Sequence, residues 1–312
     1  MIALCFLLSV ADRVSFFAVI FSIYSACNFA FSIIGFGVVF ISQAHPVFWH
    51  TETKRFKEPV DWVIWPESSL GINGENNNLK SHLSQLAKDK SIHLSAGGSS
   101  RVLIPQENTI NSEIFSYNSV FNYAPDGKYL GRYDKQILVP FSEFTPFVKQ
   151  LGISNIKSGF TAGTESKTYK IKLATVAFPI CYEAIFQSIF KEYSNVDLIA
   201  NVSNDIWFTD SWGRELHAMI SQLRSIEFGI PIIRTGYTGV SFYVKPNGKR
   251  LFELPNNKKS IQKIAIPYGS IPTFYAKWGD WFVFVCLLII LFGFIQVSNK
   301  IPKSINHNDK GI

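Results

Sequence analysis

The chain has 312 residues, 47% of them hydrophobic and only 17% charged, which excludes a disordered polymer and leaves room for one large domain with flanking segments. Its formal charge of +7 comes from 30 Lys+Arg against 23 Asp+Glu, but no basic stretch alternates with aromatics, so a nucleic-acid face is excluded and a weak pull toward anionic lipid head groups is the better use of the excess. Of four cysteines, Cys5, Cys27 and Cys286 lie in apolar terminal segments, so no disulfide framework is possible in the middle of the chain.

At the amino end Ile2 to Val10 is apolar, Asp12 and Arg13 interrupt, and Val14 to Ser42 is again almost free of charge. This reads as a membrane segment over 1–43 with one complete span and the end of another, Asp12-Arg13 forming the turn. A signal peptide is the weaker alternative, because no basic residues precede the first stretch and the second is too long. Val38-Val39-Phe40-Ile41 also reads as a strand that exits through 43–46, and the same residues cannot serve both purposes.

Apolar, β-branched and aromatic runs then predict strands at Trp62–Trp65, His93–Ala96, Tyr117–Tyr123, Ile171–Pro179, Asp197–Val202, Ile230–Thr235, Ser241–Val244 and Ile261–Ile266. Helical spacing fills Asn78–Lys88, Tyr182–Phe190 and His217–Phe228, and Pro125-Asp126-Gly127-Lys128 and Pro246-Asn247-Gly248-Lys249 read as hairpin turns. Trp281 to Val297 is an almost unbroken apolar run preceded by Tyr275 and Trp278, as in a transmembrane helix entered through an aromatic belt. A tail with Lys300, Lys303 and Lys310 follows, which the positive-inside rule places in the cytoplasm, with the large middle segment on the opposite, periplasmic side.

Three short stretches carry chemistry. Trp65-Pro66-Glu67, Tyr133-Asp134-Lys135 ahead of Pro140-Phe141-Ser142-Glu143, and Cys181-Tyr182-Glu183 each follow a strand-like run, so a Glu, a Lys and a Cys stand at carboxyl ends of strands. Singly these are a surface charge, a loop lysine and a core cysteine; jointly they are what a thiol nucleophile needs, a base and a positive charge for the oxyanion.

In these residues the chain resembles the carbon–nitrogen hydrolase (nitrilase) superfamily. Within it, Leu138 to Phe144, Asn201 to Phe208, Arg234-Thr235-Gly236 and Tyr275 to Trp281 are similar to the apolipoprotein N-acyltransferase family. The resemblance implies an α/β fold, a nitrilase-like α-β-β-α sandwich flanked by transmembrane helices. The organisation expected is a membrane segment over 1–43, shortened relative to the family, a catalytic domain over 44–275, a transmembrane helix over 276–298 and a cytoplasmic tail over 299–312. It further implies a bacterial inner-membrane enzyme with its catalytic domain in the periplasm.

Cys181 is then the expected nucleophile, with a thiol pKa lowered by a following helix N-terminus, Glu67 the general base, and Lys135 the oxyanion partner together with the Tyr182 N–H. By resemblance Glu143 hydrogen-bonds the lysine and Glu183 is the acid beside the Cys-Tyr pair. Tyr182, Trp207 and Phe147 are candidate walls of a substrate site, and Thr145 to Val148, Phe160 and Ile206-Trp207-Phe208 its mouth. The six histidines show no metal-ligand spacing, so neither a metal nor another cofactor is expected. The reaction implied takes a fatty acyl group from a phospholipid onto Cys181 and passes it to the α-amine of a diacylglyceryl-cysteine on an apolipoprotein. Two alternatives stay open: an inactive, shortened remnant of this family, and, behind it, a membrane-tethered amidase.

Overall fold

Trp62-Val63-Ile64-Trp65 places four buried residues in succession, which on a strand demands cover on both faces. The computed structural model provides it. It describes residues 36–42, 46–71, 74–105, 112–146, 159–208, 212–254 and 260–300; the expectations for 1–35, for Phe147 and for the tail beyond 300 lie outside them.

One six-stranded sheet runs in the order β12-β1-β2-β3-β4-β5, built from β1 (Phe36–Ser42), β2 (Trp62–Trp65), β3 (His93–Pro105), β4 (Ser112–Tyr123), β5 (Tyr129–Asp134) and β12 (Ser260–Ile266). β1, β2 and β3 are parallel, joined by helices α1 (Pro46–Arg55) and α2 (Asn77–Lys90). The second sheet runs β11-β10-β9-β8-β7-β6, from β6 (Thr168–Ile171), β7 (Ala174–Ala177), β8 (Leu198–Ser203), β9 (Ile232–Gly236), β10 (Phe242–Val244) and β11 (Arg250–Glu253). Its parallel centre is β7, β8 and β9, connected through α3 (Gln187–Glu192) and α4 (Trp212–Phe228).

Alternation sorts the side chains into layers. Trp62, Ile64 and Val120 of the first sheet pack with Val176, Leu198, Ala200 and Ile233 of the second, while Val63, Trp65 and Phe121 turn outward onto Leu83, Leu86 and Ala87 of α2. Ile199, Ile232 and Phe242 turn outward from the second sheet onto Phe190 of α3 and Ala218 and Phe228 of α4. The result is the nitrilase-like α-β-β-α sandwich. Val38–Ile41 is a strand, part of β1, and 46–55 is the helix that follows it.

Three expectations change. The single strand over Ile171–Pro179 is a hairpin, because Lys172 adopts φ 54 and folds β6 against β7. The helix over Tyr182–Phe190 is a 3-10 turn (Cys181–Ile185) and then α3, divided by the extended Phe186. The helix over 276–298 is α5 (Phe274–Trp278) and α6 (Trp281–Lys300), broken at Gly279 with φ 58. Among the described residues no helix is long and apolar enough to cross a membrane; in α6 the described side chains end at 296.

Strand β3 approaches the end of β2 so closely that only glycine fits. A Cβ on Gly97 would lie 2.4 Å from the Pro66 carbonyl oxygen and 2.6 Å from the Glu67 Cα. The neighbours are backbone and cannot rotate away, so Gly97→Ala is expected to lower the unfolding free energy by about 1–3 kcal/mol in urea titration. An unchanged midpoint and slope would show that the corner tolerates the methyl.

Candidate active site

Glu67 leaves β2 through Pro66, and the next residue, Ser68, turns the chain with φ 64. Lys135 follows β5 directly; its N–H donates to the Asn118 carbonyl at 2.8 Å and its own carbonyl accepts from Gly163 at 2.8 Å. Cys181 follows Ile180, which bridges to Val202 beside the second sheet, and holds φ 48 at the start of the 3-10 turn. Strand ends from both sheets thus bring Glu67, Lys135 and Cys181 together, all buried.

The Lys135 ammonium lies 2.9 Å from Glu143 Oε1, 2.8 Å from Glu143 Oε2 and 3.8 Å from Glu67 Oε1. Asn118, from β4, donates from its single Nδ2 to both carboxylates, at 2.7 Å to Glu67 and 2.8 Å to Glu143. The Val139 N–H donates to Glu143 Oε2 at 2.8 Å, fixing the loop that carries Glu143. Glu67 Oε2 is buried and has no hydrogen-bond partner among the described residues. Its other oxygen is occupied, so one lone-pair face is left for a proton in transfer.

Burial alone would push the lysine down, but Glu67, Cys181 and Glu143 beside it hold the ammonium above its usual range. Burial pushes the Glu67 carboxyl up against the pull of Lys135, with Glu143 adding to the rise. Burial, reinforced by Glu67, also pushes the Cys181 thiol up, outweighing Lys135. This corrects the expectation of a lowered thiol pKa: the turn after Cys181 is only five residues long, and desolvation exceeds what so short an element offsets. The thiol rests protonated, which makes an adjacent base necessary.

Glu183 joins the two halves. Its carboxylate accepts the N–H of Ile180 at 2.6 Å, of Gln136 at 2.6 Å and of Ile137 at 3.1 Å, and the Tyr133 hydroxyl at 2.9 Å. Burial pushes it up to about 7 although those backbone donors and Lys135 pull the other way. Tyr182 packs edge-on against Phe186 with ring centroids 4.9 Å apart. Trp207 is 71% exposed, in a 3-10 turn (Ile206–Phe208) beyond Asn204, whose carbonyl receives the Cys181 thiol at 3.9 Å. Among the described residues Trp207 therefore stands at the rim.

Residue reasoning gave no role to Asn118 or to a second buried cluster behind Cys181. There His217, on α4, sets Nδ1 2.8 Å from Asp205 Oδ1 and Nε2 3.1 Å from the Cys181 carbonyl oxygen. Arg234 Nη2 lies 2.7 Å from Asp205 Oδ2 and 3.1 Å from His217 Nδ1. Burial pushes Asp205 up, but Arg234 and His217 prevail and hold it well below the usual carboxylate range. The available signal was polar side chains inside strand-like runs: Asn118 in Tyr117–Tyr123 and Arg234 in Ile230–Thr235.

Ligand-type atoms of Cys181, Asp205 and His217 lie within 4.8 Å of one another. The guanidinium of Arg234 already supplies the positive charge this cluster calls for, and His217 Nε2 is engaged on a carbonyl. The donor set is satisfied internally and does not fit a resident metal ion.

Residues 49–274 match the carbon-nitrogen hydrolase family. Apolipoprotein N-acyltransferase of Bradyrhizobium diazoefficiens is 34% identical over 60% of this chain and 36% of its own length. Apolipoprotein N-acyltransferase of Rickettsia bellii is 30% identical over 85% of this chain and 53% of its own. The chain thus spans about half or less of these curated relatives. Among solved structures, a carbon-nitrogen hydrolase of Helicobacter pylori superposes with a TM-score of 0.60 at 14% identity, over 75% of this chain and 90% of that one. An amidase of Nesterenkonia sp. AN1, solved with a covalent adduct at its active-site cysteine, superposes with a TM-score of 0.58 at 14% identity, over 77% and 94%. At such identity these two establish the fold alone.

Because burial raises the thiol, the thiolate fraction of Cys181 keeps growing with pH beyond about 10, where an ordinary thiol of pKa about 8.5 has levelled off. Iodoacetamide alkylation of Cys181, followed by peptide mass spectrometry, is expected to rise through about pH 10 without a plateau. A plateau below pH 8 would show a thiol lowered by its surroundings.

Proposed function

This chain belongs to the carbon–nitrogen hydrolase family, and from that premise we propose that it is an apolipoprotein N-acyltransferase, moving a fatty acyl group from a phospholipid to the amino terminus of a diacylglyceryl apolipoprotein. The observation that carries the reading is the buried convergence of Cys181, the Lys135 ammonium and the unpartnered Glu67 Oε2 at strand ends of two sheets.

In the first half-reaction Cys181 Sγ attacks the ester carbonyl of the phospholipid while Glu67 takes the thiol proton. Negative charge gathers on the carbonyl oxygen and is met by Lys135 Nζ and the Tyr182 N–H. Collapse breaks the ester C–O bond, the leaving alkoxide takes the proton from Glu67, and a lysophospholipid departs from the thioester. In the second, the α-amine attacks the thioester and gives a proton to Glu67. The C–S bond breaks, the amide remains, and the sulfur regains its proton. Glu143 and Asn118 hold Lys135 and Glu67 in register throughout. Glu183 keeps the loop bearing Lys135 against the Cys181 corner.

Lipid rather than a small amide as acyl donor is favoured by the surface. Leu287 to Phe292 on α6 are each more than half exposed, in consecutive positions that point all round the helix, so the catalytic domain cannot cover them. The described side chains of α6, 281–296, extend about 24 Å along its axis, short of the hydrocarbon thickness of a bilayer. α6 enters the bilayer, with Trp278 and Trp281 at the interface. Exposed Ile206 and Trp207 form an apolar rim suited to acyl chains. Localisation in a bacterial inner membrane with a periplasmic catalytic domain belongs to the same proposal.

Membranes bearing the chain, incubated with a phospholipid labelled in its acyl group, are expected to yield a labelled protein whose label is released by neutral hydroxylamine. Cys181→Ala should abolish the label, and Glu67→Gln should slow its appearance by about 10²-fold or more. A folded, inserted protein that takes no label from phospholipid but is acylated by small amides would replace this reading with the amidase; one inert to both would be the remnant. For α6, a polarity-sensitive fluorophore on Cys286, in a chain carrying Cys5→Ser, Cys27→Ser and Cys181→Ser, is expected to report hydrocarbon in vesicles and to move toward water when Leu288→Asp and Phe292→Asp are added, since each charge costs about 2.5–3.5 kcal/mol at the centre of a bilayer. A watery signal at Cys286 without those two substitutions would remove α6 from the bilayer.

A further inference from the structure

We infer that His217 is a positioning residue for acyl transfer, holding the Cys181–Tyr182 peptide so that its N–H meets the oxyanion; this rests on the reading of Cys181 as nucleophile. Cys181 sits at φ 48, a backbone state that is costly for a non-glycine residue and persists only where the surroundings over-determine it. Two contacts do so. On the amino side the Ile180 N–H donates to Glu183 Oε2 at 2.6 Å, and on the carboxyl side His217 Nε2 lies 3.1 Å from the Cys181 carbonyl oxygen. A carbonyl only accepts, so Nε2 carries the hydrogen in this contact.

The Cys181 carbonyl and the Tyr182 N–H belong to one planar peptide unit. Fixing the oxygen therefore fixes the direction of the N–H on the opposite edge. Donation into the carbonyl also polarises the unit and strengthens that N–H as a donor. His217 is held for this task by buried groups alone. Nδ1 is 2.8 Å from Asp205 Oδ1, Ser203 Oγ donates to the same oxygen at 2.9 Å, and Arg234 Nη2 donates to Oδ2 at 2.7 Å. Arg234 is tied in turn to Asn201 Oδ1 at 2.5 Å and to Ser203. In the reaction proposed above Glu67 takes the thiol proton, and His217 Nε2 is engaged on the Cys181 carbonyl, so His217 acts through the peptide and not on the proton.

The test uses the full chain and its His217→Ala, His217→Asn and His217→Gln variants, with a p-nitrophenyl ester as an acyl donor that needs no lipid recognition. The burst of p-nitrophenolate reads acylation, and iodoacetamide alkylation at the same pH reads access and nucleophilicity of the thiol without forming an oxyanion. Gln places an amide N–H at about the reach of Nε2, whereas Asn stops near that of Nδ1. Ala and Asn are expected to slow the burst by about 10- to 100-fold, within the range for a weakened oxyanion donor, and Gln to restore it to within about threefold, all with alkylation changed less than about twofold. Gln as slow as Asn, or alkylation falling in step with the burst, overturns the inference. The Gln and Asn pair keeps the test decisive if the alanine variant fails to fold. Wild-type protein acylated by the ester but not by labelled phospholipid would defeat the phospholipid reading and leave this one standing. Folded wild-type protein acylated by neither overturns both.

Discussion

A lysine ammonium buried at the seam of two sheets is the constraint from which the rest of the site follows. Removing such a charge from water costs several kcal/mol unless partners with good geometry surround it. Lys135 finds them in Glu143, with both oxygens within 2.9 Å, and at longer range in Glu67. Two carboxylates that close repel each other, and Asn118 meets both with one amide nitrogen. Strands β2 and β5 and the 139–143 loop must therefore meet at one point beside the middle of β4, and a strand out of register would leave a buried charge alone. Truncating Glu143 is in this light a structural as well as a chemical loss, of the order of 3–5 kcal/mol expected when one partner of a buried pair is removed.

The cysteine half meets this charged centre through Glu183 rather than through apolar packing alone. One carboxylate gathers an N–H from the Cys181 corner and two from the loop after Lys135, so the spacing of thiol and ammonium is set by hydrogen bonds to the backbone. The site is in this sense a polar joint between two apolar layers. Burial raises both the thiol and the Glu67 carboxyl, so each holds its proton more tightly than it would in water.

Much of this was legible in the chain itself, for physical reasons. Trp62–Trp65 reads as a strand because four apolar residues end at Pro66, and the two Pro-Xaa-Gly-Lys turns fall between β4 and β5 and between β10 and β11 as expected. Glu67, Lys135 and Cys181 were visible because chemistry singles out their residue types at strand ends. Strands β5 and β11 escaped since they are half-exposed and carry charges. The β6–β7 turn escaped because Lys172 takes a positive φ without the Gly or Asn that usually signals one. Asn118, Asp205, His217 and Arg234 escaped a role because polar residues in apolar runs read as interruptions, and only three-dimensional proximity shows that they satisfy one another.

Strand β12 pairs with β1 over seven residues, from Phe36 with Ile266 to Ser42 with Ser260, and so returns the chain to the first sheet after the whole second sheet has been laid down. This clasp has a consequence for biogenesis. During synthesis β1 must wait, its outer edge open, until more than two hundred further residues have followed it from the ribosome, and contacts between such distant partners form slowly because the loop must close first. The Glu67 and Lys135 corners can assemble early, the cysteine only later, and the edge is sealed last by the strand that leads directly into α5 and α6. A nascent chain of this design acquires its buried cysteine before its clasp, and it is in that interval that it most needs protection from pairing with a neighbour's open edge.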